Sequence, residues 1–275
     1  MILGLSSALV WGAADFGGGL MSRRTAVFGV VLVSQLAGLA LAVALAVARA
    51  ESFPGPADVG WSFVAGILGG IGIVALYRGL AVGRMGIVAP IIGVLAAVIP
   101  VVAGFVLEGI PPTIVLVGIG LAVAAVLLVS RVADEGGGRA GLREALVAGV
   151  AIGLFGVALS QISDGFVFGP MSLIRTTQAL LVVVLILVTR SAWRPPNRML
   201  PTLAVIGVLD MGGNVAYLLA VQIGLLAVAS VLSALYPVVT VLLAAVVLGE
   251  RITREHAVGI LLAAAAIVCI GIGSA

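Results

Sequence analysis

The sequence predicts an all-α integral membrane protein: ten transmembrane helices arranged as two inverted five-helix repeats. Three observations lead there. Hydrophobic residues make up 63% of the 275-residue chain and charged residues only 9%, against roughly 45–50% and about 25% in a soluble domain. A soluble fold of this size must keep a polar exterior and cannot hide so much apolar surface, a requirement that lipid removes. The apolar residues also fall into ten stretches, each near the ~20 residues a spanning helix needs. Finally, the two halves of the chain carry matching residues at matching places.

The stretches run near residues 2–22, 26–48, 60–80, 85–107, 112–130, 145–163, 171–189, 200–221, 226–248 and 257–273. Met1 leads directly into apolar sequence, so no removable signal peptide is expected and the first helix directs insertion. Ser22-Arg23-Arg24 ends the first stretch, and Glu51-Ser52-Phe53-Pro54-Gly55-Pro56 separates the second from the third. Glu108-Gly109-Ile110-Pro111-Pro112 divides the fourth from the fifth, and Arg194-Pro195-Pro196-Asn197-Arg198 the seventh from the eighth. The breaks near 81–84 and 222–225 carry weaker signals and rest partly on the repeat. Membrane β-strands would alternate polar and apolar residues, and these stretches do not. The longest polar segment, 131–144, holds Asp134, Glu135 and Gly136-Gly137-Gly138. Its composition predicts a flexible linker between a first repeat over 1–130 and a second over 145–275.

Tyr77 matches Tyr217, Gly118 matches Gly259, and Glu108 matches Glu250; Gln35 and Gln178 occupy similar places in the second helix of each half. Five spans per half is an odd number, which turns the second half upside down relative to the first. Inverted repeats of this kind place a substrate site at their interface near the membrane midplane.

The motifs along the chain resemble the EamA-type repeat of the drug/metabolite transporter superfamily. The resemblance rests on Trp11-Gly12 in the first helix and, in the second half, on Tyr217, Ala229-Ser230, Tyr236-Pro237, Leu248-Gly249-Glu250-Arg251 and Gly259. The second repeat matches best. In the first, Leu95 stands at the proline position, Pro100 follows five residues later, and Glu108 lacks the arginine neighbour. The resemblance implies a ten-helix carrier, usually an exporter of metabolites, amino acids or drugs, driven by proton coupling or by the substrate gradient.

All fourteen basic residues are arginines. They form no run dense enough to grip a phosphate backbone, so nucleic acid is not an expected partner. The single cysteine, Cys269, allows no intrachain disulfide and is expected to be a small buried hydrophobe. Arginine-rich short loops favour the cytoplasm. Twelve arginines fall on one face; Arg49 and Arg175 fall on the face shared by the termini. A multi-pass plasma (inner) membrane protein with both termini outside is therefore expected, although members of the family more often have both termini inside.

Polar groups at membrane depth are costly and mark pathways. Asp210 lies about 14 Å into the eighth span at ~1.5 Å per residue. Asn214 and Tyr217 follow at i+4 and i+7, on one face. This stripe suits a polar or cationic substrate and a proton-coupled carboxylate, or else a structural hydrogen-bond cluster between helices. Asp15, one turn after Trp11, precedes Phe16-Gly17-Gly18-Gly19. The helix either opens at the glycines to expose carbonyls or ends there near the interface, with Asp15 snorkelling or pairing with Arg23 or Arg24. Arg175 either receives a substrate carboxylate or pairs with Asp164, the pairing being slightly favoured. Gln35 and Gln178 bond a substrate or a neighbouring helix. Tyr236, before Pro237 and near Ser230 and Ser233, lines a cavity or packs between helices. The glycines at 66, 69, 70 and 72 lack a preceding strand and read as helix packing rather than a nucleotide loop.

Paired histidines, a metal-ligand cluster and a nucleophile motif are missing from the sequence, so no enzyme, cofactor or metal is expected. The expected function is secondary active transport by alternating access, an exporter of a small metabolite, amino acid or drug-like molecule. Its partners are that substrate and membrane lipids; a homo-oligomer is left open. The alternatives are a lipid head-group translocator of the same superfamily or a non-transporting membrane scaffold.

Overall fold

The computed structural model describes residues 1–83, 85–129, 140–248 and 254–273. All regular structure among them is helical. Eleven α-helices follow in order: α1 Ile2–Ser22, α2 Val27–Ala48, α3 Pro56–Val82, α4 Met85–Leu107, α5 Thr113–Val129, α6 Leu142–Leu159, α7 Phe168–Thr189, α8 Leu200–Gln222, α9 Leu226–Ser233, α10 Tyr236–Leu248 and α11 Arg254–Gly273. Most boundaries fall within a few residues of those expected. The third helix starts earlier, because Pro56 sits in its first turn, where its fixed φ suits a helix start. The expected ninth span is broken into α9 and α10 at Ala234-Leu235, just before Pro237. A proline lacks the N–H that would bond the carbonyl four residues back, and its ring crowds that carbonyl. The glycine-rich part of the expected linker and Glu250-Arg251 lie outside the described residues.

Among the described residues, six segments are long and apolar enough to cross a bilayer: Val27–Ala48, Pro56–Val82, Leu142–Leu159, Phe168–Thr189, Asn197–Gln222 and Leu226–Val247. Shorter apolar helices run over Ile91–Leu107, Thr113–Ala125 and Ala257–Ile270. α1, at 21 residues, also has the length to span. The outer surface carries large bare hydrophobes: Val106, Leu187, Val188, Val246 and Leu261 are between 69% and 83% exposed. Water would penalise such a continuous apolar exterior and lipid does not, so the chain is a multi-pass membrane protein.

Packing crosses between the two halves. α3 lies on α6 and α7, while α8 lies on α1 and α2; α2 packs on α7, α5 on α11, and α4 on α6 and α9. Glycine makes the closest of these crossings. A Cβ on Gly207 would stand 2.1 Å from the Ser34 carbonyl oxygen, so α8 reaches α2 backbone to backbone only because no side chain intervenes. Gly66 and Gly70 likewise admit Thr177 and Leu181 of α7 into α3, which is helix packing of the small-residue kind.

At one end of the bundle, carboxylates of the first half bind backbone N–H groups of the second. Glu51 accepts hydrogen bonds from the N–H groups of Val167, Phe168 and Gly169 at 3.0, 3.0 and 2.8 Å, capping α7. Glu108 accepts from Leu226 at the start of α9, and Asp58 accepts from Ser163 at 2.8 Å. Each satisfies donors that a helix start or turn leaves free, and an anion there also meets the positive end of the helix dipole. At the other end, Arg23 donates from Nε to the Leu80 carbonyl, and Gly29 lies against the Trp193 carbonyl. This end gathers Arg23, Arg24, Arg143, Arg190, Arg194 and Arg198, whereas the first carries Glu51, Asp58, Glu108 and Asp164 with Arg49.

Candidate functional site

The crossing helices leave a cavity at the middle of the bundle, with about 720 Å³ of space between atoms when its open part is included. α8 supplies its polar floor. Asp210, Asn214 and Tyr217 sit at i, i+4 and i+7, and all three line the cavity while only 7%, 6% and 3% exposed. Asn214 donates from Nδ2 to the Asp210 carbonyl at 2.7 Å, one turn back. The Tyr217 and Ser230 hydroxyls bond at 2.7 Å, tying α8 to α9. The Tyr217 ring lies 5.5 Å from that of Trp11, tilted by 31°, and Gly213 leaves the room that Trp11 occupies.

α1 delivers Trp11 and Asp15 to the same cavity. It does so as a continuous helix, which corrects both expectations for this segment. The glycine run does not open the helix. Gly18 instead receives the Tyr77 ring, whose hydroxyl would stand 2.3 Å from a Cβ at that position. Asp15 does not sit at a helix end or pair with Arg23, which is bonded to Leu80.

Arg175 also departs from expectation. It pairs neither with Asp164 nor with solvent, but lies 1% exposed inside the bundle. Its Nη1 donates to Asp210 Oδ2 and to Gln35 Oε1. Facing Gly38 of α2, it points across α2 and α8, away from the connection that holds Asp164. It is therefore not a loop arginine. Its Nε and Nη2, and Gln178 Oε1, are buried with no hydrogen-bond partner.

The structure thus brings together nine of the ten residues singled out in the sequence on the cavity wall: Trp11, Asp15, Gln35, Gln178, Asp210, Asn214, Tyr217, Ser233 and Tyr236. Arg175 stands behind that wall as a partner to two of them. Both halves contribute. Sequence reasoning missed the apolar part of the lining, including Ile73, Leu76, Ala96, Ile152 and Phe155. In a chain this apolar, such residues carry no signal of their own. Ala96 had an indirect one: Pro100 four residues later leaves its carbonyl without a helical donor, as Pro237 does for Ser233. Both residues face the cavity.

An all-helical membrane protein with a polar cavity buried between its two halves belongs to the class that carries small solutes or ions through itself. The comparisons with known proteins then give the family. The EamA-like transporter family matches residues 1–131 and again residues 140–272, and the chain belongs to that family, within the drug/metabolite transporter type. A solved structure, titled only "Crystal structure of protein", aligns over 99% of this chain and 96% of that one with a TM-score of 0.74 and 18% identity, a likeness of fold. No curated protein matches.

Proposed function

We propose that the chain is a secondary active transporter that moves a small metabolite, amino acid or drug-like solute out of the cell by alternating access, coupled to protons. The observation that carries this reading is the buried polar cavity walled by both halves of a chain from a transporter family. The two halves act as inverted repeats, 1–130 and 145–275, with ten spans in all; α9 and α10 together make the ninth. The reciprocal packing of α3 on α6–α7 and of α8 on α1–α2 supports this. So do the two carboxylates, Glu51 and Glu108, that reach from ends of first-half helices to starts of second-half ones. Rocking of the halves breaks such contacts at one end and remakes others at the opposite end.

Filling the cavity tests this directly. Ala96→Trp is expected to abolish solute uptake by proteoliposomes, measured across a panel of labelled amino acids and amines, while the purified variant keeps a monodisperse elution profile. Unchanged uptake would remove the cavity from the pathway.

We place the protein in the inner membrane with the arginine-rich end in the cytoplasm and both termini outside, following the charge contrast between the two ends. A C-terminal reporter that is active only in the cytoplasm is expected to stay silent, and a strong signal from it reverses this orientation.

A further inference from the structure

The ionisable groups deep in the bundle do not balance. Asp15, Asp210 and Arg175 are buried among the crossing helices, and the one guanidinium is bonded to Asp210. Asp15 makes no hydrogen bond or ion pair among the described residues. A lone carboxylate in a membrane interior is costly as an anion, and is held there only with a compensating positive charge. Arg175 cannot serve both carboxylates: its Nη1 is committed to Asp210 and Gln35, and it stands behind the cavity wall while Asp15 faces the cavity. Asp15 therefore either holds a proton or takes a positive charge from the cavity it faces.

The rest of the lining suits one kind of donor of that charge. Trp11 lies one turn before Asp15 on α1, its ring against that of Tyr217, and Tyr236 lies on the same wall. Aromatic faces attract organic cations, best when water is excluded. Acceptors surround them: Gln178 Oε1 is buried without a donor, and prolines release the carbonyls of Ala96 and Ser233. Among the described residues the wall offers no positive charge to an anion: Arg175 is not part of the lining, and its Nε, left without a partner, lies toward Gly38 of α2.

We infer that the substrate is a monovalent organic cation of the ammonium type, seated between Asp15 and the aromatic rings of Trp11, Tyr217 and Tyr236, and that it exchanges with one proton on the Asp15 carboxyl. This rests on the transporter reading and narrows it. The exchange balances: the protonated carboxyl releases its proton to water as the cation enters, and the cavity holds one positive charge either way. The titratable and charged groups around Asp15 are Asp210 of α8, Tyr77 of α3 and Tyr236 of α10, with Arg175 of α7 bonded to Asp210. Of the two carboxyls among these described groups, Asp210 has an ion-pair partner and Asp15 does not.

The test uses benzyltrimethylammonium, which has no proton of its own to lose, and N,N-dimethylbenzylamine N-oxide, of similar shape without net charge. Binding to the purified full chain is measured by calorimetry in buffers of different ionisation enthalpy. The cation is expected to bind and the N-oxide to bind at least about tenfold more weakly, one charge contact in a low-dielectric site being worth at least ~1.4 kcal/mol. Cation binding is expected to release up to one proton. It should weaken about tenfold per pH unit once Asp15 is protonated in the free protein, because proton and cation then compete for one site. Asp15→Asn should abolish cation binding and Asp15→Glu should restore it in part. Equal binding of the two probes, no proton release, or full binding by Asp15→Asn would each overturn the assignment. Proteoliposomes separate this from the broader reading. If they transport an uncharged or anionic solute equally well with Asp15→Asn, the chain is a carrier but the cation assignment fails. If benzyltrimethylammonium binds with proton release yet no solute crosses, the assignment holds and the carrier reading fails.

Discussion

Arg175→Met is expected to lower the stability of the fold by about 3–5 kcal/mol, the usual effect of leaving one partner of a buried ion pair alone. The cause is local. Asp210 sits 7% exposed on α8, and Arg175 is its only ion-pair partner among the described residues. Removing the guanidinium also strips Gln35 of the donor that ties α2 to α7. Adding Asp210→Leu removes the stranded carboxylate, and the double variant is expected to recover most of the loss, since an apolar pair of similar volume often replaces a buried ion pair without penalty. Unfolding in mixed micelles, followed by circular dichroism, measures all three proteins. A double variant no more stable than Arg175→Met would mean that the guanidinium acts through packing and through Gln35 rather than through the charge pair.

Asp15→Asn is expected to remove both the accumulation of solute under a pH gradient and the exchange of solute for solute, since the same carboxyl holds the proton and the cation. If one proton is coupled to each solute, a one-unit pH gradient supports about a tenfold concentration ratio across the membrane. The asparagine variant loses that whole ratio, because its side chain is nearly isosteric but takes up no proton. The readout is accumulation of labelled solute in proteoliposomes under an imposed gradient, against counterflow without one. Asp210 is the less suitable carboxylate for this role, although its depth and its stripe with Asn214 and Tyr217 marked it first in the sequence. Its Oδ2 is already bonded to the Arg175 guanidinium. Retention of full pH-driven accumulation by Asp15→Asn would move the coupled proton elsewhere.

How much of this was legible in the sequence differs from one residue to another. Helix positions were plain, because the bilayer fixes how long an apolar run must be and loops announce themselves with proline, glycine and charge. The Asp210-Asn214-Tyr217 stripe was legible for a related reason: residues three and four apart share a helix face whatever the helix packs against. What could not be read was which helix meets which. Asp164 looked like the partner of Arg175 because it is close in sequence, yet the partner comes from α8, across a crossing that brings residues 35 positions apart together. The glycine run after Asp15 looked like a weak point in a helix. Its use depended on Tyr77 from α3, which fills the space those glycines leave. The break before Pro237 was half visible, since proline marks the place but not whether neighbouring helices will keep the helix whole, as they do for α4 through Pro100.

Access to the cavity from both sides is the most direct measure of alternating access. Ser233 is 1% exposed on the wall where α9 ends. In a Cys269→Ala background, Ser233→Cys gives one thiol at that point. A membrane-impermeant maleimide, applied to right-side-out and to inside-out vesicles in turn, is expected to label it from both faces. Solute or a pH shift should raise labelling on one face and lower it on the other. Labelling from a single face under every condition, or from neither, would contradict a carrier that opens its central cavity alternately to the two sides.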